Sequence, residues 1–470
     1  MRDSWTTSAE LVHVALGSGR RRSALEAALR EAIRDGRLAA GARLPSTRAL
    51  SGDLGVARGT VVEVYAQLET EGYVQARRGA GTWVADLRAV AASPAPRREP
   101  ATQVPRFSFD PGLPDLTAFP RAAWTNALRR GLGDAPASSL GYGDRRGRSE
   151  LRAALAGYLA RARGVIADPE LIVVCAGFVH GLSLISRALQ GRGARRVAME
   201  DPCLRWHRLV VSASGLDVVP IPVDERGAQT GPLGSTGADA AILTPAHQFP
   251  LGVWLRPDRR AAAIAWARAT DGVLVEDDYD AELRYDRRPV GAMQALDPDR
   301  VVYAGTTSKT LAPGLRLGWL VLPSPLVEPV IALRELEDVH VPASEQIAFT
   351  ELLTSGVFER HIRRMRNRYR VRRRRLLDVL AERAPRVTPR GISGGLRVLL
   401  QLPAGAPPAS AIVERGNRAG MRLFPLIECY HDQRGARDDC LLIGYSALPD
   451  HAFESGIDAL MELLASTIPA

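Results

Sequence analysis

One lysine, Lys309, stands in this chain of 470 residues, and all the other Lys/Arg positions are arginine. Arginine serves as well for ion pairs and solvation, but its guanidinium keeps its proton, whereas an ε-amine that sheds one attacks aldehydes. Lys309 lies in GTTSKTLAPGLRLGW (305–319), after a β-rich run and among small residues, with Arg316 seven positions later. Arg316 is placed to lower the amine's proton affinity and to grip a phosphate bidentately. Thr306 and Ser308 offer hydroxyls to the same phosphate. Upstream, VLVEDDYDAEL (273–283) ends a strand pattern in acidic residues. A carboxylate there, facing a heteroaromatic nitrogen, keeps that nitrogen protonated and makes the ring an electron sink. The phenol of Tyr279 is spaced to reach an oxygen on such a ring. The doublet Asp277–Asp278 leaves the register open by one residue. VVCAGFVHGLSLI (173–185) passes through Gly177 into a helix pattern, so amides at Gly177 and Phe178 can hold phosphate.

Positioning these groups requires a sheet. Short apolar β-rich runs at 171–175, 196–200, 240–245, 272–278 and 300–305 alternate with helical stretches, which predicts an α/β body whose largely parallel sheet is covered on both faces. The stretch 88–107, rich in Ala, Pro and Arg, reads as a linker. It divides the chain into 1–87, 88–107 and 108–470.

Composition narrows the function classes. With 46% hydrophobic and 24% charged residues the chain reads as globular. No uncharged apolar run reaches membrane-span length, and the first residues lack a signal peptide's order of regions, so a cytoplasmic location is expected. The four cysteines form no CxxC pair and no metal-ligand spacing, which reads as buried thiols and no metal. The formal charge of +10 permits a polyanionic partner.

The head repeats one theme of helix, turn and helix. Residues 23–36 show an amphipathic pattern with Leu25, Ala28, Leu29 and Ile33 on one face and Gly36 as the stop. Ser46 is placed to cap a short helix, TRALSGDL, that ends at Gly55. A second helix, 59–72, is expected to turn Val61, Val62, Tyr65 and Leu68 inward. Its start presents Arg58, Gly59 and Thr60 to a major groove. VQARRGAGTWVA then reads as a hairpin wing carrying Arg77 and Arg78.

These residues, with G-x-R-L-P-S-x-R-x-L, V-x-R-x-T-V and G-x-G-T-x-V in order over about 12–85, resemble the winged helix-turn-helix of GntR-type transcription regulators. The resemblance implies double-stranded operator DNA as partner, with Arg43, Ser46, Arg48, Arg58, Thr60 and Arg77 as contacts. The body over about 107–465 resembles fold-type I, aspartate aminotransferase-like proteins that bind pyridoxal 5'-phosphate. DPGLPDLTAFP (110–120), LGYGDRRGRSELRAALAGYL (140–159), PAHQFPLG (245–252) and EDDYDAELRYD (276–286), placed behind such a head, are similar to the MocR/GabR group of regulators.

The resemblance implies a Schiff base on Lys309, Asp277 (or its rival Asp278) on the pyridine nitrogen and Tyr279 on the phenolic oxygen. Arg316, Thr306, Ser308 and the Gly177–Phe178 amides would hold the phosphate. His247 would lie near the ring, and Tyr142 would cross to the partner's phosphate in a head-to-tail homodimer. The implied protein is a regulator that senses the cofactor, as in vitamin B6 control, or a small amine effector, with no catalytic residue assigned. The competing expectation is an active aminotransferase with an appended DNA-binding head.

Two positions depart from the pattern. Leu204, in EDPCLRWHR (200–208), stands where an aromatic usually stacks on the ring, with Trp206 or His207 as substitutes. Leu442, in CLLIGYSAL (440–448), stands where aminotransferases place an arginine for the substrate carboxylate, with Arg397, Arg434 and Arg437 as replacements from elsewhere. The basic run 359–377 reads as a solvated helix with Ile362, Met365, Tyr369, Leu376 and Leu377 on its apolar stripe.

Overall fold

A computed structural model of the chain describes residues 21–77, 79–86, 105–285, 290–434 and 436–468. Two compact units divide at residues 103 and 104. Most of the expected linker, and Arg78 of the expected wing, lie outside the described residues.

The first unit contains α1 (Arg21–Arg34), α2 (Thr47–Leu54), α3 (Arg58–Thr70) and a hairpin of β1 (Val74–Arg77) and β2 (Gly81–Val84). The Ser46 hydroxyl accepts from Ala49 N at 3.1 Å and caps α2, whose end falls at Gly55 in the left-handed region, φ 60°. Leu25, Leu29, Leu50, Val61, Val64 and Leu68 close one core between the helices. One expected core position is corrected: Val62 is 46% exposed and Val64 is buried. At 3.6 residues per turn the inward face of α3 runs 61, 64, 65, 68, so Val62 falls on the outer face.

The second unit is built on an eight-stranded sheet with the order β4-β11-β10-β9-β8-β5-β6-β7. Its strands are β4 (Ile172–Cys175), β5 (Arg196–Asp201), β6 (Asp217–Asp224), β7 (Gly227–Ala228), β8 (Ala240–Leu243), β9 (Val273–Asp278), β10 (Val301–Thr306) and β11 (Gly318–Val321). β6, β5, β8, β9 and β10 pair in parallel, while β11 and the edge strand β7 run antiparallel to their neighbours. Apolar clusters line the sheet, Val173, Val275 and Leu320 belonging to one and Ala241, Leu274 and Val301 to another. Burial on two faces is why these strands read as continuous apolar runs.

A second, four-stranded sheet has the order β12-β13-β16-β15, made of β12 (Thr388–Arg390), β13 (Arg397–Gln401), β15 (Phe424–Pro425) and β16 (Cys440–Gly444). Its core holds Leu400, Leu441, Ile443 and Leu460. The basic run forms one helix, Val357–Arg383. Phe358 and Ile362 pack in the core that holds Trp319 and Phe349, while Met365, Tyr369, Leu376 and Leu380 pack in the core of the second sheet. Its arginines are not uniformly solvated. Arg372 is buried and donates to Asp115 Oδ2 at 3.1 Å, Asp450 Oδ1 at 2.7 Å and Ser446 O at 2.9 Å.

β16 fixes the segment that precedes the large sheet. Gly444 N donates to Phe109 O at 2.9 Å, and a Cβ at Gly444 would fall 1.9 Å from Asp110 O, so only glycine allows this approach.

Candidate functional site

The parallel strands end at one cavity of about 680 Å³. Placement beyond the carboxyl ends of strands is where open α/β sheets bind ligands. Lys309 enters it from the turn after β10, and its Nζ donates to Gly112 O at 2.7 Å. Burial lowers the amine's proton affinity, Asp110 opposes that shift, and Arg397 adds to it. A neutral amine is the nucleophilic form.

Alternation along β9 separates the acidic doublet. Asp277 lines the cavity, and its Oδ1 is buried without a hydrogen-bond partner. Burial holds its carboxyl well above the usual range, and Asp278 and Glu200 add to the shift. Asp278 accepts from Arg163 Nε at 2.7 Å and from Tyr303 OH at 2.8 Å, away from the cavity lining.

Tyr279 also lines the cavity, donating to His247 O at 2.6 Å and accepting from Arg397 Nη2 at 2.7 Å. His247 is buried behind it, with Nδ1 2.9 Å from Asp280 Oδ2, and is not part of the lining. His247, expected near a ring, supports the Tyr279 hydroxyl with its backbone carbonyl, while its imidazole pairs with Asp280.

Arg316, Thr306, Ser308 and Phe178 also line the cavity. Arg316 sits in the left-handed region, φ 48°, and its Nη2 donates to Ala176 O at 2.5 Å. Thr306 Oγ1 and Ser308 Oγ are 2.9 Å apart. The helix Phe178–Gly191 starts here after Gly177, whose φ is +80°. A Cβ at Gly177 would come within 2.9 Å of Arg316 Nη1. The Gly177 amide itself donates to Cys175 O at 2.8 Å, so that residue contributes space rather than the expected free N–H.

Leu204 lines the cavity as the sequence implies, and His207 lines it one helical turn further on. The His207 ring lies 4.8 Å from the Phe178 ring, with Nδ1 3.9 Å from Asp277 Oδ2. Burial, with the nearby Lys309, pushes this imidazole down to about 3, so it is neutral at pH 7. Trp206, the other substitute, is 67% exposed. Tyr142 is 87% exposed and outside the lining, 6.3 Å from the His340 ring. Leu442 lines the cavity without a charge, Arg434 and Arg437 pair with Asp432 and Asp439, and Arg397 alone of the three alternatives reaches the lining.

Two groups escaped the sequence reading. Gly112 O receives the lysine amine, and buried Glu200, pushed up to about 7 by burial, accepts from Thr244 N at 3.2 Å and Gln248 Nε2 at 3.3 Å. The DPG and ED motifs held them, but only the fold brings residues 112, 200 and 309 together.

In the head, Arg43, Arg48, Arg58 and Arg77 are exposed and Thr60 is half-buried. Arg77 lies over the Trp83 ring at 5.3 Å. Ser46 is exposed, but its hydroxyl oxygen is engaged as the α2 cap.

Sheet, cavity and head together define a class, a winged helix-turn-helix joined to a fold-type I, aminotransferase-like body. Residues 21–84 match the family model for bacterial regulatory proteins of the gntR family, and 115–404 match aminotransferase class I and II. The chain is 36% identical to the HTH-type pyridoxine biosynthesis transcriptional regulator PdxR of Corynebacterium glutamicum, over 79% of this chain and 81% of that protein. It is 32% identical to the probable rhizopine catabolism regulatory protein MocR of Rhizobium meliloti, over 92% and 91%. Among solved structures it resembles an archaeal alanine:glyoxylate aminotransferase, with 26% identity and a TM-score of 0.69 over 76% of this chain and 90% of that one. The chain belongs to the MocR-type, GntR-family transcriptional regulators. No helix among the described residues is long and apolar enough to cross a membrane.

Proposed function

We propose that the body holds pyridoxal 5'-phosphate through a Schiff base to Lys309, and that occupancy of this site alters how the head binds operator DNA. The observation that carries the reading is the pairing, in one cavity, of the chain's only lysine with a buried carboxylate oxygen that has no partner. A protonated pyridine nitrogen supplies what Asp277 Oδ1 lacks. Gly177 lets the Arg316 guanidinium, which suits a phosphate, sit at the cavity, since a Cβ there would come within 2.9 Å of its Nη1.

When bound, the cofactor supplies an electrophilic carbon and an electron-sink ring. The protein's own residues do the rest. Lys309, made less basic by burial, gives up its proton more readily than a solvated lysine. Tyr279 holds an oxygen beside the ring, its hydroxyl oriented by His247 O and Arg397. Arg316, Thr306 and Ser308 bind phosphate, and neutral His207 packs where Leu204 supplies no aromatic face. Exposed Tyr142 serves the partner subunit's phosphate in a homodimer, and Arg43, Arg48, Arg58, Thr60 and Arg77 meet the DNA. Half-site spacing then makes the placement of two heads a control on affinity.

The test is DNA binding to the chain's own upstream region with and without added pyridoxal phosphate. A change in affinity or footprint with cofactor alone is expected, and an unchanged footprint sinks cofactor sensing. A second reading, a working aminotransferase with an attached head, is favoured by Arg397 reaching the cavity. Multiple turnovers across an amino-donor and keto-acid panel would establish it.

A further inference from the structure

We infer that Arg397 is the carboxylate anchor for a small amino-carboxylate ligand of this cavity, doing from β13 what Leu442 on the neighbouring strand β16 has no charge to do. The inference rests on the cofactor reading above and adds to it the chemical class of the effector.

Arg397 and Leu442 lie on directly paired strands, with Leu399 opposite Leu442 and Arg397 opposite Gly444. Both Arg397 and Leu442 line the cavity that holds Lys309. A guanidinium so placed has lost its water and needs acceptors from the protein or from a ligand. Nη2 is supplied by Tyr279 OH at 2.7 Å and Gln248 O at 3.2 Å. Nη1 stands 3.9 Å from Asp280 Oδ2, beyond hydrogen-bond reach, and Asp280 is shared with His247. Nε is buried with no partner. Its Cζ lies over the Phe249 ring, 4.4 Å from the centroid, a cation–π contact that restrains it further. A rigid, buried cation with unused donors beside a nucleophilic amine suits a ligand with a carboxylate at one end and an amine at the other.

Such a ligand engages both ends of the site. Its amine would lie beside Lys309 Nζ, where the cofactor, when bound, would supply the electrophilic carbon for which the two amines compete. Its carboxylate meets Arg397, while Leu442 and Phe249 pack against the carbons between. Arg434 and Arg437 are exposed and already paired with Asp432 and Asp439, so neither competes for this role.

The experiment titrates the cofactor-loaded full chain with L-alanine, β-alanine and 4-aminobutyrate, and with ethylamine and n-propylamine, following the cofactor's visible absorption. At least one amino carboxylate is expected to bind about 10- to 100-fold more tightly than the amines lacking the carboxylate, the range for a charged hydrogen bond. Arg397→Met should reduce that preference to about threefold or less, with amine binding by the same variant as its internal control. Arg397→Gln, which keeps a donor toward Tyr279, serves where the Met variant loads cofactor poorly. Equal binding of amines and amino carboxylates by the wild type overturns the assignment, as does a preference that persists in both variants. A wild type that develops no cofactor band at all instead overturns the cofactor reading, so the two failures are distinguishable.

Discussion

The head and the body treat charge in opposite ways. In the head, Arg43, Arg48, Arg58 and Arg77 stand in solvent, and the core beneath them is wholly apolar. Trp83 Nε1 is buried there without a partner, but none of those four charges is buried while the unit waits for DNA. In the body, Lys309, Asp277 and Arg397 line one cavity, and two of them keep buried polar atoms unpaired. Leaving such groups unsatisfied costs about 1–3 kcal/mol each. The difference teaches where ligand-linked stability should reside: in the body, where binding supplies missing partners, and not in the head.

The neighbouring aspartates give the sharpest break of that comparison. Asp278→Asn strips buried Arg163 of its counter-charge and should destabilise the body by about 3–5 kcal/mol. Asp277→Asn removes an unpaired carboxyl, so the cofactor-free body should be no less stable, while cofactor binding weakens about tenfold or more. Thermal unfolding and cofactor titration of the two variants decide it, and equal effects on both would erase the distinction drawn along β9.

A smaller effect comes from Glu200. Its carboxyl is raised from 4.5 to about 7, so the folded state binds the extra proton between those values. The stability this contributes is fully present below about pH 4.5 and is lost as pH rises through about 7. Glu200→Gln should flatten that decline, by at most about 3 kcal/mol at pH 8, in denaturant unfolding of the cofactor-free body. The head provides the control. Ser46→Ala should cost about 1 kcal/mol through the lost α2 cap and leave cofactor binding untouched, measured by unfolding and absorption on the same sample.

Much of this organisation was legible in the residues because it is local. Ser46, Gly55 and the hairpin at 74–84 are encoded within a few positions, and so are the strands ending at Asp277 and Thr306. What was not legible depends on which residues meet across the fold. Whether Asp277 or Asp278 faces the cavity follows from the pairing of β9 between β8 and β10. That Gly112 meets Lys309 follows from β16 pressing on the segment 109–111. The helical wheel of α3 is readable in the sequence, yet the inward place expected for Val62 belongs to Val64, two positions on. His247 looked like a ring contact because its motif lies at the cavity, but Asp280 draws its imidazole into the wall.

Holding the only lysine inside a folded cavity has a practical consequence. A protease specific for lysine has a single target bond in the chain, between Lys309 and Thr310, and the native body partly buries it. Cleavage therefore clocks the opening of the body, because a bond in a packed site is cut only from states in which that site has come apart. Two fragments on a gel, timed with and without ligand, would turn one side chain into a stopwatch for the whole domain.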